Sequence, residues 1–361
     1  MPFISYYSFL ILTLLFSYIY PFYASAVDQP TNKLIDHVKV IPNSFNPSLN
    51  QKVELCYQLN QKSSVTVIIF GPDGEPIKTI VENEERTAGN NKEMWNGKDM
   101  NDQIVPNEAY CFIIKAVDHQ NYVETYKPIV KKWVRFDTPE YRMSKISNTI
   151  SYKLPKPART RIRIGLKDGP LTLTLLDWHP KIAGEILVHW DGWDEGRTMK
   201  LWEHPNYKMV ITNMELPENC IITYGNKKES YIEYNQLKTN HQNKPKGPTT
   251  TPATLSTMLS PKLKISFPMA KKYTQEGIPV LNAKTLVRVE VENKIVVATT
   301  HYEIIFFLDE NFYAEEPLGT SPYNWVWNLS KVTEGEHILT VNVVSFNDQI
   351  GTLSQKVNVV K

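Results

Sequence analysis

The stretch Trp95-Asn96-Gly97-Lys98-Asp99 returns as Trp190-Asp191-Gly192-Trp193-Asp194, 95 residues further along the chain. The same offset carries Ala88-Gly89 onto Ala183-Gly184, and Leu55, Tyr57 and Leu59 onto Ile150, Tyr152 and Leu154. One offset that holds at three separate places marks a duplicated domain. Each copy opens on alternating apolar residues, as in Val53, Leu55, Tyr57 and Leu59. Period two puts such side chains on one face of a sheet. A second β-branched run follows, Val65, Val67 and Ile69 in one copy and Ile162 and Ile164 in the other. Gly71-Pro72-Asp73-Gly74 and Lys167-Asp168-Gly169-Pro170 then read as hairpin turns, since Pro and Asp preset turn dihedrals and Gly accepts positive φ. In the repeated pentapeptide Trp is a large apolar anchor, Gly admits a tight turn, and Asp can bond backbone N–H groups across it. Trp95, Gly97, Asp99, Trp190, Gly192 and Asp194 are therefore read as structural positions. A last strand closes each copy, with Tyr110, Phe112, Ile114 and Ala116 or Tyr207, Met209 and Ile211.

This grammar resembles the Ig-like repeat of the flagellar hook-capping protein FlgD and of many secreted bacterial proteins. In the first copy the likeness rests on Asn46-Pro47, Leu55 to Leu59, Gly71 to Gly74, Ala88-Gly89, Trp95 to Asp99 and Tyr110 to Ala116. In the second it rests on Ile150 to Leu154, Ala183-Gly184, Trp190 to Asp194 and Tyr207. Where the family usually has Gly before the last-strand Tyr, this chain has Glu108-Ala109 and Pro205-Asn206. The N-terminal portion of a hook-capping protein is missing, so the resemblance implies the fold and not a flagellar role. Residues 261–361 resemble another bacterial Ig-like module, of the kind appended to secreted glycanases and surface proteins. The matching stretches are Ile304 to Asp309, Tyr323-Asn324-Trp325 and Gly335 to Val341. The expected architecture is all-β: three Ig-like (fibronectin III-like) β-sandwich domains in tandem, at 36–126, 127–225 and 261–361.

Residues 1–26 hold no charged side chain, include the apolar run Phe9 to Phe16 and end Ala24-Ser25-Ala26. They read as a signal peptide cleaved after Ala26, which places the chain in the periplasm, at the cell surface or outside the cell. The alternative is an uncleaved membrane anchor. A span needs about 20 apolar residues, and Tyr18, Tyr20 and Pro21 interrupt this run. Val130, Trp133, Val134 and Phe136 predict a strand belonging to the second sandwich. Residues 226–240 are unplaced, a short strand or a short helix. Residues 240–260, with Lys244-Pro245-Lys246-Gly247-Pro248-Thr249-Thr250-Thr251-Pro252, read as an extended Thr/Pro linker on which the third domain moves independently.

A net charge of +2 is too small to imply nucleic-acid or anionic-membrane binding. The cysteines are Cys56, Cys111 and Cys220, without any C-x-x-C. Cys56 and Cys111 each sit one residue off a core-facing position. A disulfide between them requires their strands to be neighbours, since Cα atoms beyond about 7 Å cannot be bridged. Cys220 is then left unpaired. Asp99, Asn101, Asp102 and Gln103, and Asp191, Asp194 and Glu195, are oxygen-rich loops that would suit calcium. Without the spacing of an EF-hand loop they read as turn caps, and no metal is expected. The histidines do not cluster. His189, Glu203-His204 and His337 read as surface or structural residues. No zincin, nucleophile-elbow, phosphate-loop or dinucleotide motif is present. Glu303, Asp309, Glu310, Glu315 and Glu316 read as solvated edge charges that deter aggregation. No cofactor and no catalysis are expected. Trp193 and Trp202 are the candidate binding surface, because exposed aromatic faces stack on sugar rings or anchor a protein partner. The alternative is that they cover a domain junction. The expected role is a structural and binding protein of the envelope or surface, with other envelope or secreted proteins, or surface polysaccharide, as partners.

Overall fold

A computed structural model describes residues 33–128, 133–226, 230–237, 246–293, 301–345 and 348–361. The signal segment at 1–26, Val130, and the first part of the Thr/Pro stretch lie outside the described residues.

The alternation in Val53–Leu59 is realised, with Val53, Leu55, Tyr57 and Leu59 buried and the intervening residues half-exposed. This strand pairs antiparallel with Ile35–Ile41 on one side and Gly89–Trp95 on the other. The facing sheet contains Pro76–Arg86, Ser63–Phe70 and Ala109–Val117 in that order. The second copy repeats the pattern. Thr149–Leu154 lies between Tyr141–Ser144 and Gly184–His189. Its facing sheet runs Leu171–Lys181, Ala158–Leu166, Tyr207–Glu215, Arg135–Asp137. Even the register is kept, for Leu59 sits opposite Gly89 as Leu154 sits opposite Gly184. Each pair of sheets closes on its own apolar cluster, around Trp95 in one and Trp190 in the other. A third pair, three strands against six, encloses Trp327, Phe306 and Val341. Apart from short helical turns the described residues are all-β, in the form of tandem Ig-like or fibronectin III-like sandwiches.

Two segments depart from a simple succession of domains. Ile221–Thr223 leaves the second sandwich and enters the sheet of the first, antiparallel to Ala109–Val117 and parallel to Ser44–Phe45. Ile221 joins the first core, which supplies the apolar contact that draws it back. Residues 231–237 then form a short helix. Tyr231 and Tyr234, three apart and so on one helical face, insert into the same core.

The described part of the Thr/Pro stretch is a packed seam and not a free tether. The Gly247 and Thr250 N–H groups donate to the Gly74 and Pro72 carbonyls at 2.8 and 3.0 Å. Leu255 is buried in the first core, and Leu259 packs against the first and third cores. Composition showed only that this stretch has no core of its own. Its backbone groups are instead satisfied by turns of the first sandwich, and its leucines fill clefts between modules.

The Cys56–Cys111 bridge is also corrected. Cys56 belongs to the sheet of Ile35–Ile41 and Cys111 to the facing sheet. Both side chains point away from the core between those sheets, and packed sheets lie about 10 Å apart. In this structure all three cysteines are reduced thiols.

Candidate interdomain binding site

The strand Ala158–Leu166 turns Ile162 and Ile164 into the second core. Its opposite face carries Arg159, Arg161 and Arg163 at every second position. A free-standing sandwich would leave that basic row in water; here the other two modules cover it. Arg159, fully buried, meets Glu108 of the first sandwich at 2.7 Å. It also donates to the Trp178 carbonyl at 3.2 Å and to Thr250 Oγ1 at 2.7 Å. Arg161 and Arg163 converge on Asp348 of the third module, donating to its carboxylate at 2.7 and 3.3 Å and to its carbonyl at 3.0 and 2.8 Å. Two guanidinium groups lie over the Trp178 ring, Arg161 at 4.5 Å and Arg135 at 5.2 Å from its centroid. The Asn342 side-chain amide clasps the Leu171 backbone, its Oδ1 accepting the Leu171 N–H at 3.0 Å and its Nδ2 donating to the Leu171 carbonyl at 2.8 Å.

The charges behave as this burial dictates. Burial pushes the Glu108 carboxyl up against the pull of Arg159. Burial, then the neighbouring Arg161 charge, lowers Arg163 to about 10. Asp348, half-buried, is raised by that burial but held below the usual range by its bonds to Arg161 and Arg163.

Beside this row lies a cleft of about 790 Å³ where all three modules meet. Its walls include Glu108, Asp177, His179, Tyr231, Leu259 and Lys262. Most of its titratable groups are engaged. Asp177 accepts from Ser260 N and Oγ at 2.5 and 3.3 Å. His179 Nδ1 accepts the Asp177 N–H at 3.2 Å.

Behind Tyr231, the Glu75 carboxylate accepts the Tyr231 hydroxyl, and burial raises Glu75 from 4.5 to about 7. A carboxyl raised on folding binds its proton more tightly in the native state. Stability therefore falls as pH rises through the window from 4.5 to about 7. Glu75→Gln is expected to remove its share of that slope, up to about 3 kcal/mol, and to be the more stable form at pH 8. Urea midpoints of both proteins at pH 5 and pH 8 check this; equal slopes would refute it.

The repeated pentapeptides have matching local geometry. Trp95 Nε1 donates to the Lys98 carbonyl and Trp190 Nε1 to the Trp193 carbonyl, both at 2.9 Å. Gly97 and Gly192 have φ of +71° and +88°, where a side chain is strained. A Cβ on Gly192 would also lie 2.1 Å from the Trp202 ring. Asp99 Oδ1 accepts the Asn101 and Gln103 N–H groups at 2.8 and 3.0 Å, and its Oδ2 accepts the Tyr234 hydroxyl at 2.9 Å. Asp194 accepts Thr198 and Met199 N–H groups at 2.6 and 3.0 Å. Among the described residues, no group of three or more His, Cys, Asp or Glu is placed to hold a metal ion.

Trp193 and Trp202 come together around Lys200, whose Nζ lies 5.7 and 5.6 Å from the two rings. Arg197 lies 5.5 Å from Trp193 and Lys145 6.0 Å from Trp202. Trp202 also packs edge-on against Trp190 at 5.8 Å. Both rings are half-buried, with cations stacked on them. The arginine row was not among the sequence candidates. Its signal was present as Arg159-Thr160-Arg161-Ile162-Arg163-Ile164, a strand with one apolar and one uniformly basic face.

Fold and junction define a chain of tandem fibronectin III-like or Ig-like modules. No family model and no curated protein matches the sequence. Among solved structures, it is similar to the fibronectin(III)-like modules of Clostridium thermocellum CbhA, with 9% identity and TM-score 0.20, covering 90% of this chain and 94% of that one. It is also similar to a structure bearing on host cell surface retention of a 1.5-MDa bacterial ice-binding adhesin, with 12% identity and TM-score 0.19, covering 90% and 98%. A tetra-tandem repeat from the extending region of a large adhesion protein gives 10% identity and TM-score 0.20, covering 90% and 74%. Among the described residues no helix is long and apolar enough to cross a membrane.

Proposed function

We propose that the chain is an exported, non-catalytic structural and binding protein of the cell surface or envelope, whose three sandwiches act as one stiffened arm. The observation that carries this reading is the basic row of Ala158–Leu166, covered from one side through Glu108 and from the other through Asp348. An arm of fixed shape presents loops and sheet edges to a partner at a set distance, and pre-organisation lowers the entropy cost of docking. The uncharged segment ending in Ala24-Ser25-Ala26 supports export. External protease added to intact cells of the source organism tests it. The chain should be degraded there, and mass spectrometry should place its N-terminus at Val27. Protection in intact cells with recovery in the cytosolic fraction would overturn the reading.

The second reading is an accessory or glycan-binding subunit of a secreted enzyme or envelope complex. It is favoured by Trp193 and Trp202 both flanking Lys200, and opposed by the cations already on both rings. Retention on a polysaccharide column that Trp193→Ala abolishes would establish it.

A further inference from the structure

The return of Ile221–Thr223 into the first sandwich brings together two cysteines that the sequence separates. The antiparallel register pairs Ile221 with Tyr110 and Ile222 with Ala109. Extended by one residue, it sets Cys220 directly opposite Cys111. The hydrogen bonds fix which kind of pair this is. The Thr223 N–H donates to the Glu108 carbonyl at 2.9 Å, whereas the Ile222 and Tyr224 N–H groups donate to Asn43 and Phe45 on the other flank. In an antiparallel ladder, pairs alternate, so 221 with 110 exchanges hydrogen bonds and 220 with 111 does not. Non-hydrogen-bonded pairs have Cα atoms about 4.5 Å apart, inside the range of roughly 4.4–6.8 Å that disulfides span.

The side chains also share a face. Ile221 and Tyr110 point into the first core. Their neighbours point the other way, where Ala109, Cys220 and Ile222 form a separate small apolar cluster with Leu216. Cys111 lies on the same face as Ala109, and both sulfurs are buried. The charge of Arg159 acts on both thiols, which places them in one neighbourhood.

We propose that Cys111 and Cys220 form a cross-strand disulfide that ties the first sandwich to the chain returning from the second. It rests on the export reading for its occurrence in the cell, since disulfides persist in oxidising compartments. The oxidant is an oxidised dithiol, a protein or small-molecule disulfide. One cysteine thiolate attacks it, forming a mixed disulfide and releasing one thiol. The second cysteine displaces the other thiol, so two S–H bonds are lost, one S–S bond forms, and the acceptor is reduced to two thiols. This happens during folding. In the folded chain burial raises both thiols, Cys220 to about 12, and leaves neither accessible. The same burial then shields the finished bond from reductants. Cys56, on the far sheet, takes no part.

Oxidative refolding tests this. The full chain is unfolded in reductant, refolded with reduced and oxidised glutathione, and its thiols alkylated in denaturant. The three cysteines should give a single reactive thiol, Cys56, and a peptide joining Cys111 to Cys220. Cys56→Ser should form the same bridge, while Cys111→Ala and Cys220→Ala should not lose the pair of thiols. Three reactive thiols in natively refolded chain, or a linked peptide containing Cys56, would overturn the pairing. The same count on chain alkylated in its own cells separates the two readings. A bridge made on refolding but absent from the cell upholds the pairing and overturns export.

Discussion

Replacing Arg159 with methionine is expected to cost about 3–5 kcal/mol of stability, the usual result of removing one partner of a buried ion pair. The guanidinium is fully buried and the Glu108 side chain 7% exposed, so water cannot take over the lost contacts. The substitution removes a partner from three groups at once: the Glu108 carboxylate, the Trp178 carbonyl and Thr250 Oγ1. Glu108, already raised by burial, would bind a proton and lose its charge. The effect should reach two module contacts, because Glu108 belongs to the first sandwich and Thr250 to the seam. Hydrogen exchange should quicken at Thr250, whose N–H bonds the Pro72 carbonyl at 3.0 Å. The double variant Arg159→Met with Glu108→Gln should recover part of the loss, since it no longer buries a lone charge. Arg161→Met should cost less, because the side chain of its partner Asp348 is 48% exposed and solvent screens that pair. Urea unfolding of the four proteins measures the series. An Arg159→Met midpoint equal to that of the parent would remove the junction from any role in holding the modules together.

The contrast between what was legible and what was not follows from the range of the interactions. Alternation, turns and the pentapeptide are local, and a local pattern copied once at a fixed offset is visible in a single sequence. The match of Leu59 with Gly89 to Leu154 with Gly184 is its structural counterpart. The junction is non-local. Ile162 and Ile164 announce the face that enters the core, but nothing beside Arg159 in sequence reveals Glu108, and nothing beside Arg161 reveals Asp348. The helix at residues 231–237 is too short to be stable alone. It forms because Tyr231 and Tyr234 find a core assembled from residues far earlier in the chain. The described Thr/Pro residues are packed for a similar reason, for composition reports a missing core but not a neighbour's turns. Cys220 falls in the range read as the second domain, whereas the strand that follows it, Ile221–Thr223, pairs with the first.

Trp95→Ala is the other large effect, expected at about 3–5 kcal/mol from lost burial and the cavity left behind. The ring is 1% exposed. It meets Phe45 and Tyr110 edge-on, with centroids 5.7 and 5.3 Å away. Those residues are on different strands of the facing sheet, so the indole joins the two sheets of the sandwich. Its Nε1 bond to the Lys98 carbonyl also fixes the turn in which Gly97 takes φ of +71° and Asp99 caps the backbone. Trp95→Phe keeps much of the volume and loses that bond, and should cost less than alanine. In the second copy the same bond runs from Trp190 to the Trp193 carbonyl, while the ring contacts come from Trp202 and Tyr207 at 5.8 and 6.5 Å. Trp190→Ala should therefore release Trp202 as well, and raise its exposure. Tryptophan fluorescence during urea unfolding distinguishes the two variants. Trp190→Ala should shift the native spectrum to the red through Trp202, whereas Trp95→Ala should lower the midpoint without that shift. Equal native spectra would mean that Trp202 is held by its flanking lysines and not by the core ring, and would take Trp190 out of the positioning of the candidate surface.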